Sequence, residues 1–442
     1  MPSASSRSSA RNAGLAWLVG AALAAIAPAY AQEGVVKELP SPEPPPVVRE
    51  ILFRGNETTQ PKTMLREMAL RVGDRADIDR IEESRQGVQD LGLFRSVQAD
   101  TESVDGGVRL VITVKEKYYI LPLPRADASS DGGYGYGAQL RWNNVWGLNH
   151  SFNPYFERRQ PSEGEDDPEK RGVQTRAQMR YYAPFIFDTK YSAGLAAAYF
   201  KTPYLTPVRY DSLDTYFGAT LYRKISEGKG SQGWTASFGV SWNEEVNSGA
   251  SPVPDRGHAL SLSTGLTYRD LHFNVYSDEG FAYGFDVQNA TEAFVSDYDF
   301  TRYSASAAWY LPAGKTPHQN VNFLVEASAR HDGTGDAFDN AYSIGGVETA
   351  RGFEPETAKG DAYYAASIEY LRPLFRKSIR GLVVIDAANA FDEPGDVNLD
   401  KAYVSAGLGV RIRFQAFVAF ELELGIAWPV NGGGPRLFAS KV

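Results

Sequence analysis

Side chains suited to covalent chemistry are few in this sequence. The five histidines, His150, His258, His272, His318 and His331, show no metal-ligand spacing, and no Gly-x-Ser-x-Gly elbow occurs. His318 and His331 flank a strand and read as solvated loop residues. A hydrolase built from scattered Ser, His and Asp has no motif to anchor it. The reading is therefore of a chain that is not an enzyme, with no metal site and no cofactor. What stands out instead is charge. Arg351-Gly352-Phe353 closes a glycine-bearing stretch that begins at Ile344, and two acids follow, Glu369 within Ser367–Pro373 and Asp386 within Val384–Phe391. A guanidinium can fork two carboxylates and so hold a long loop that would otherwise move. Gly352 would let the backbone approach a wall closely, and Phe353 could pack against it.

The elements that carry these acids alternate. In a strand, successive side chains point to opposite faces. Glu369 therefore shares a face with Ala365 and Ser367, opposite Tyr364, Ile368 and Tyr370. The same period of two runs through 403–414, where Val404, Ala406, Leu408, Val410 and Ile412 alternate with Ser405, Gly407, Gly409, Arg411 and Arg413. In 420–428, Phe420, Leu422, Leu424, Ile426 and Trp428 enclose Glu421 and Glu423, and 234–243 repeats the pattern. One greasy face and one face of charge and glycine describe strands with lipid outside and a polar lumen inside. A soluble sandwich also buries one face, so the connections must discriminate. Short links, such as 184–188 and 413–415, alternate with long polar ones at 159–170, 201–214, 244–257, 337–361 and 391–401. That alternation predicts a transmembrane β-barrel of about sixteen antiparallel strands, each ~10 residues long, over residues 118–442. Closure would remove the unpaired edges that hydrocarbon does not tolerate. The first strand carries Pro122 and Pro124, which cannot donate to a ladder, and the last is a short stretch, 435–442, with Phe438 in it.

Residues 47–117 read as a separate small α+β domain of order βααββ. Val48–Phe53 forms a strand closed by Gly55-Asn56. Pro61 opens a helix carrying Met64, Leu65, Met68, Ala69 and Leu70 up to Gly73. A second helix runs from Ile78 to Leu91, and a hairpin turns at Asp105-Gly106-Gly107.

Two sets of residues resemble a known family. The small domain, with Phe53-x-Gly55-Asn56, Leu91-Gly92-Leu93-Phe94 and Val114-Lys115-Glu116, looks like a POTRA domain. The loop Arg351-Gly352-Phe353 with its acidic strands resembles the signature of the BamA, TamA and two-partner-secretion transporter superfamily, the bacterial surface-antigen barrels. The resemblance implies that the loop folds into the lumen and that Arg351 pairs with Glu369 and Asp386. It also implies an outer-membrane protein insertase or translocase whose POTRA domain binds unfolded clients by strand addition, with accessory periplasmic proteins as further partners. A lateral gate between the first and last strands, at Pro122, Pro124 and Phe438, comes with it. The chain departs from the family at Ala388, where Gly is usual, and in lacking a terminal aromatic. A single POTRA domain argues against the central assembly protein of the family. A passive or gated pore without clients is the alternative.

Composition agrees with this reading. The mean hydropathy is −0.34, and beyond the N-terminus no apolar run is long enough for a helical span. The net charge of −9 speaks against nucleic acid as a partner, and outer-membrane lipids as the surroundings are what the resemblance implies. Residues 1–31, with Arg7, Arg11, an apolar core and Ala29-Tyr30-Ala31, read as a signal peptide, and 32–46 as a proline-rich linker.

Overall fold

A computed structural model describes residues 44–128, 134–161, 171–252, 254–334, 342–430 and 432–440. The expected signal peptide and most of the linker lie outside these residues.

The small domain is a three-stranded sheet covered by two helices. Strand β1 (Val48–Arg54) runs parallel to β3 (Gly107–Glu116), which pairs antiparallel with β2 (Phe94–Val104), giving the order β1-β3-β2. Helix α2 (Ile78–Asp90) is capped by the Asp77 side chain, which accepts from the Asp79 N–H. Ile78, its first residue, is exposed, and Val88 near its end is buried. Helix α1 covers only Pro61–Leu65 and does not run on toward Gly73. Met68 and Leu70 are nonetheless buried, beside Met64, Val88, Leu93, Phe94 and Leu110. The chain leaves the helix because its groups find other partners, the Leu70 N–H donating to Ser84 Oγ at 3.0 Å.

Sixteen strands, from β4 (Ile120–Ala128) and β5 (Tyr134–Val145) to β20 (Glu421–Pro429) and β21 (Arg436–Ser440), form one antiparallel sheet. Sequence neighbours pair throughout except where β14 (Asn320–Thr334) meets β17 (Ala362–Arg376). The intervening β15 (Tyr342–Ile344) and β16 (Ala358–Gly360) make their own ribbon. The sheet is inside out relative to a soluble protein. Ile368, Ile385, Leu408 and Leu424 are 46%, 48%, 53% and 52% exposed, while Glu369, Asp386 and Glu423 are 1%, 1% and 0% exposed. Exposed aliphatics around buried charge suit lipid outside. Several strands exceed the expected length. The segments 201–214 and 244–257, read as long loops, remain paired to Tyr204, from Tyr210, to Gly249 and from Arg256. Ladder bonds are made by the backbone, so polar side chains do not end them.

The two ends of the sheet come together at one rim. Tyr118 N–H donates to Ala416 O at 2.7 Å, and Arg141 on β5 reaches Ala419 O at 2.7 Å. Hydrogen-bonded closure, however, is not found: among the described residues no ladder joins β4 to β21. Pro122 and Pro124 lie within β4, opposite Leu140 and Ala138, and not in a preceding linker. Being two residues apart, they withhold their missing donors from one and the same edge. The ladder to β5 persists, so that edge is the free one facing the seam.

The small domain docks on the turns at this rim. Glu67 Oε2 accepts from the N–H and Oγ of Ser231, both at 2.8 Å. Asp90 accepts from Phe273 N–H at 2.8 Å and lies 2.9 Å from His272 Nδ1. The Thr63 hydroxyl and Gln60 N–H both donate to Gly147 O at 2.9 Å. A Cβ at Gly147 would fall 2.0 Å from Thr58 O, so this turn admits only glycine.

Candidate functional site

The site grows from the turn that the β15–β16 ribbon presents to the lumen. Gly345 and Gly346 take positive φ, and the turn closes through Gly346 N–H to Phe353 O at 3.0 Å and Ala350 N–H to Gly346 O at 3.1 Å. Ile344 and Ala350 are buried against Ala365 of β17 and against Ala388 of β18 (Ile379–Phe391). The methyl of Ala388 thus sits under the loop, at the place where the family usually has none.

This packing aims Arg351 at three carboxylates. Nη2 lies 2.6 Å from Glu369 Oε1, Nη1 2.7 Å from Asp386 Oδ1, and Nε 3.0 Å from Glu423 Oε1. The Arg351 N–H also donates to Asp386 Oδ2 at 3.0 Å, and Ser367 Oγ donates to Asp386 Oδ1 at 2.8 Å. A second guanidinium shares the acids. Arg411, on β19 (Tyr403–Arg413), reaches Glu369 Oε1 at 2.7 Å and donates from Nε to Glu423 Oε2 at 2.7 Å. Asn322 of β14 donates to Glu369 Oε2 at 3.0 Å. Three carboxylates and two guanidiniums therefore bind the loop to four consecutive strands, β17 to β20. Nearly every donor and acceptor has a partner, which is the condition under which buried charge is tolerated.

Gly352 and Phe353 complete the contact. The Gly352 N–H donates to Ser405 Oγ at 3.2 Å, and a Cβ there would meet Ser405 Cβ at 2.5 Å. Phe353 meets Tyr403 edge to face, with centroids 5.3 Å apart. Phe438 of β21 points inward, 4% exposed, among Leu371, Leu382, Val384 and Ala427. Its ring centroid lies 5.8 Å from Arg351 Cζ. Gly425 makes room for it, since a Cβ there would fall 2.3 Å from the ring. The last strand thus touches the clasp, whereas Pro122 and Pro124 stay on the exposed side of β4. Arg351 separates two luminal cavities of about 560 and 410 Å³.

Sequence reasoning missed Arg411 and Glu423 as members of the site, although it placed both on polar faces. Their signal was opposite charge on the inward parity of consecutive strands, where the register sets them directly across from each other. The histidines stay apart, and no cluster of three or more His, Asp or Glu fit for a metal occurs among the described residues. His331 is exposed but lies within β14, opposite Thr301, and not in a loop, and His318 is not simply solvated: it is half-buried, 3.2 Å from Ser277 Oγ and edge-on to Tyr276.

Known structures share this architecture. CdiB from Acinetobacter baumannii superposes with a TM-score of 0.60 at 13% identity, covering 87% of this chain and 70% of its own. CdiB from Escherichia coli gives 0.58 at 14%, covering 89% and 75%. BamA from Haemophilus ducreyi lacking POTRA domains 1-3 gives 0.52 at 16%, covering 90% and 84%. At such identities the likeness is one of fold. Residues 46–117 match the POTRA model, described as a surface antigen variable number repeat. Residues 144–433 match the Omp85 superfamily domain, and with about two thirds of its length so matched the chain belongs to the Omp85 superfamily.

Proposed function

We propose that the chain is an outer-membrane insertase or translocase, its POTRA domain in the periplasm receiving unfolded clients and its barrel inserting or exporting them across the seam between β4 and β21. As an Omp85 barrel it is not an enzyme. The observation that carries the reading is the seam itself: sixteen strands curl until the sheet ends are neighbours, yet among the described residues those ends share no ladder. One edge lacks two donors at Pro122 and Pro124, and the other is a strand of only five residues. A client strand could add to either edge through main-chain bonds. In the POTRA domain the outer edge of β2, eleven residues long, offers the same chemistry. The clasp of Arg351 steadies β17 to β20 next to the seam, so that opening is confined to the sheet ends.

The sequence has no cysteine, so an introduced pair bridging β4 and β21 can be locked and released by redox state alone. In cells depleted of the chain, outer-membrane and secreted proteins should fall in abundance. The reduced pair should restore them and the oxidised pair should not. Full rescue by the locked seam refutes the reading. A pore without clients, favoured by the cavities beside Arg351, would instead change permeability and leave the proteome intact.

A further inference from the structure

Below the clasp, toward the POTRA domain, a second belt of charge crosses the lumen. Arg413, at the end of β19, reaches Asp278 at the start of β12 (Asp278–Ala290), Nη2 to Oδ2 at 2.8 Å and Nη1 to Oδ1 at 3.3 Å. It also pairs with Glu421 of β20. Arg380 of β18, 2% exposed, donates to Asn320 Oδ1 at 2.9 Å and lies 3.8 Å from Glu421. Asp278 and Arg413 belong to strands five places apart in the sheet, so their bond spans the neck of the barrel and does not follow a ladder.

Outside this belt lies a cavity of about 340 Å³ between helix α2, with Arg85, Gln86 and Gln89, and the turns that carry Asn274 and Gln319, with Glu279 at the start of β12. Asp278 and Asn320 line both this vestibule and the 560 Å³ cavity below Arg351. The two spaces therefore meet at the belt. The belt is also incompletely bonded. Arg413 Nε and Glu421 Oε2 are buried without a hydrogen-bond partner among the described residues, so the belt holds its charges with fewer bonds than the clasp does.

We propose that the vestibule between α2 and these turns is the POTRA-side port of the lumen for water and small ions, and that Arg413, laid across to Asp278 and Glu421, is the bar that closes it. When Arg413 leaves Asp278, its guanidinium turns into one of two solvated cavities and the neck opens with two carboxylates facing it. A neck lined by acids favours cations. The inference rests on the barrel lying in a membrane and not on any client, so it stands or falls apart from the function proposed above.

The test is single-channel recording of the full chain in planar bilayers with KCl and no client. Arg413→Gln should raise conductance several-fold and shift selectivity toward K⁺. Asp278→Asn, which leaves Arg413 held only by Glu421, should also raise conductance but shift selectivity toward Cl⁻. In the Arg413→Gln background, a Glu279→Cys change labelled with a positively charged methanethiosulfonate should take the gained current away, because residue 279 lines the vestibule and a fixed cation there repels K⁺. Opposite selectivity shifts are not produced by general loosening, so they separate gating from misfolding. Conductance and selectivity equal to wild type in both variants, in barrels that still show heat-modifiable migration, overturn the proposal. A gained current that survives labelling at position 279 overturns the port.

Discussion

Replacing Arg351 by alanine removes the one cation that serves all three acids of the clasp. The consequences differ among them. Glu369 and Glu423 keep Arg411, whereas Asp386 keeps only Ser367 Oγ and the residue 351 N–H. Deleting one partner of a buried ion pair costs ~3–5 kcal/mol. Cavities on both sides of Arg351 admit water to the exposed acid, which places the loss near the lower end. About 3 kcal/mol corresponds to roughly a 150-fold shift from docked to undocked loop. Hydrogen exchange reads this directly: amides of 342–360 should exchange about that much faster, while the ladders of β5 to β13 keep their protection. Since the cost centres on one stranded carboxylate, adding Asp386→Asn to Arg351→Ala should recover part of it, a non-additivity expected only of groups in contact. Unchanged loop exchange in Arg351→Ala, or strictly additive effects in the double variant, would refute the reasoning.

Three further outcomes follow from the same geometry. Gly352→Ala places a methyl 2.5 Å from Ser405 Cβ, and overpacking of this kind costs ~1–3 kcal/mol, so loop protease sensitivity should rise while the barrel stays folded. Phe438→Ala empties a buried site among Leu371, Leu382 and Val384, costing ~3–5 kcal/mol, and should lower the exchange protection of the β20–β21 ladder more than that of any other strand pair. Burial pushes the Glu67 carboxyl above its ordinary range, outweighing the Ser231 donors and the neighbouring Arg66 and Lys224. The docked state then binds more protons than the undocked one, so docking weakens as pH rises from the usual carboxylate range through the raised value and is strongest in acid. Crosslinking between the POTRA domain and the 225–232 turn should show that slope, and Glu67→Gln should abolish it.

The alternation of residues such as Leu408 and Arg411 was legible because lipid and lumen impose opposite demands at every second position. The strand count and the order of the POTRA-like elements were legible for the same local reasons. The length of α1 was not, since Glu67 leaves the helix for Ser231, 164 residues away. Strand ends at Tyr204 and Gly249 were misplaced because polar composition resembles a loop while backbone pairing is indifferent to it. Arg411 and Glu423 were invisible as partners of Arg351. Parity assigns a face, but only the curl of the whole sheet decides which inward residues meet. Docking of the POTRA domain escaped notice because its partners are far apart in the chain, main-chain groups at Gly147 and Phe273 together with side chains at Ser231 and His272, and local pattern does not pair them.

The acids that hold Arg351 lie 18, 35 and 72 residues after it in the chain, the last of them on the penultimate strand. The arginine therefore emerges before any of its partners, and its full set exists only once β20 has been laid down beside β19. The clasp is accordingly complete only in a barrel whose penultimate strand is in place. A chain ending before residue 421 would keep Glu369 and Asp386 for Arg351 but lack Glu423, so its loop would be held by two of the three acids, a mark by which an unfinished copy differs from a completed one.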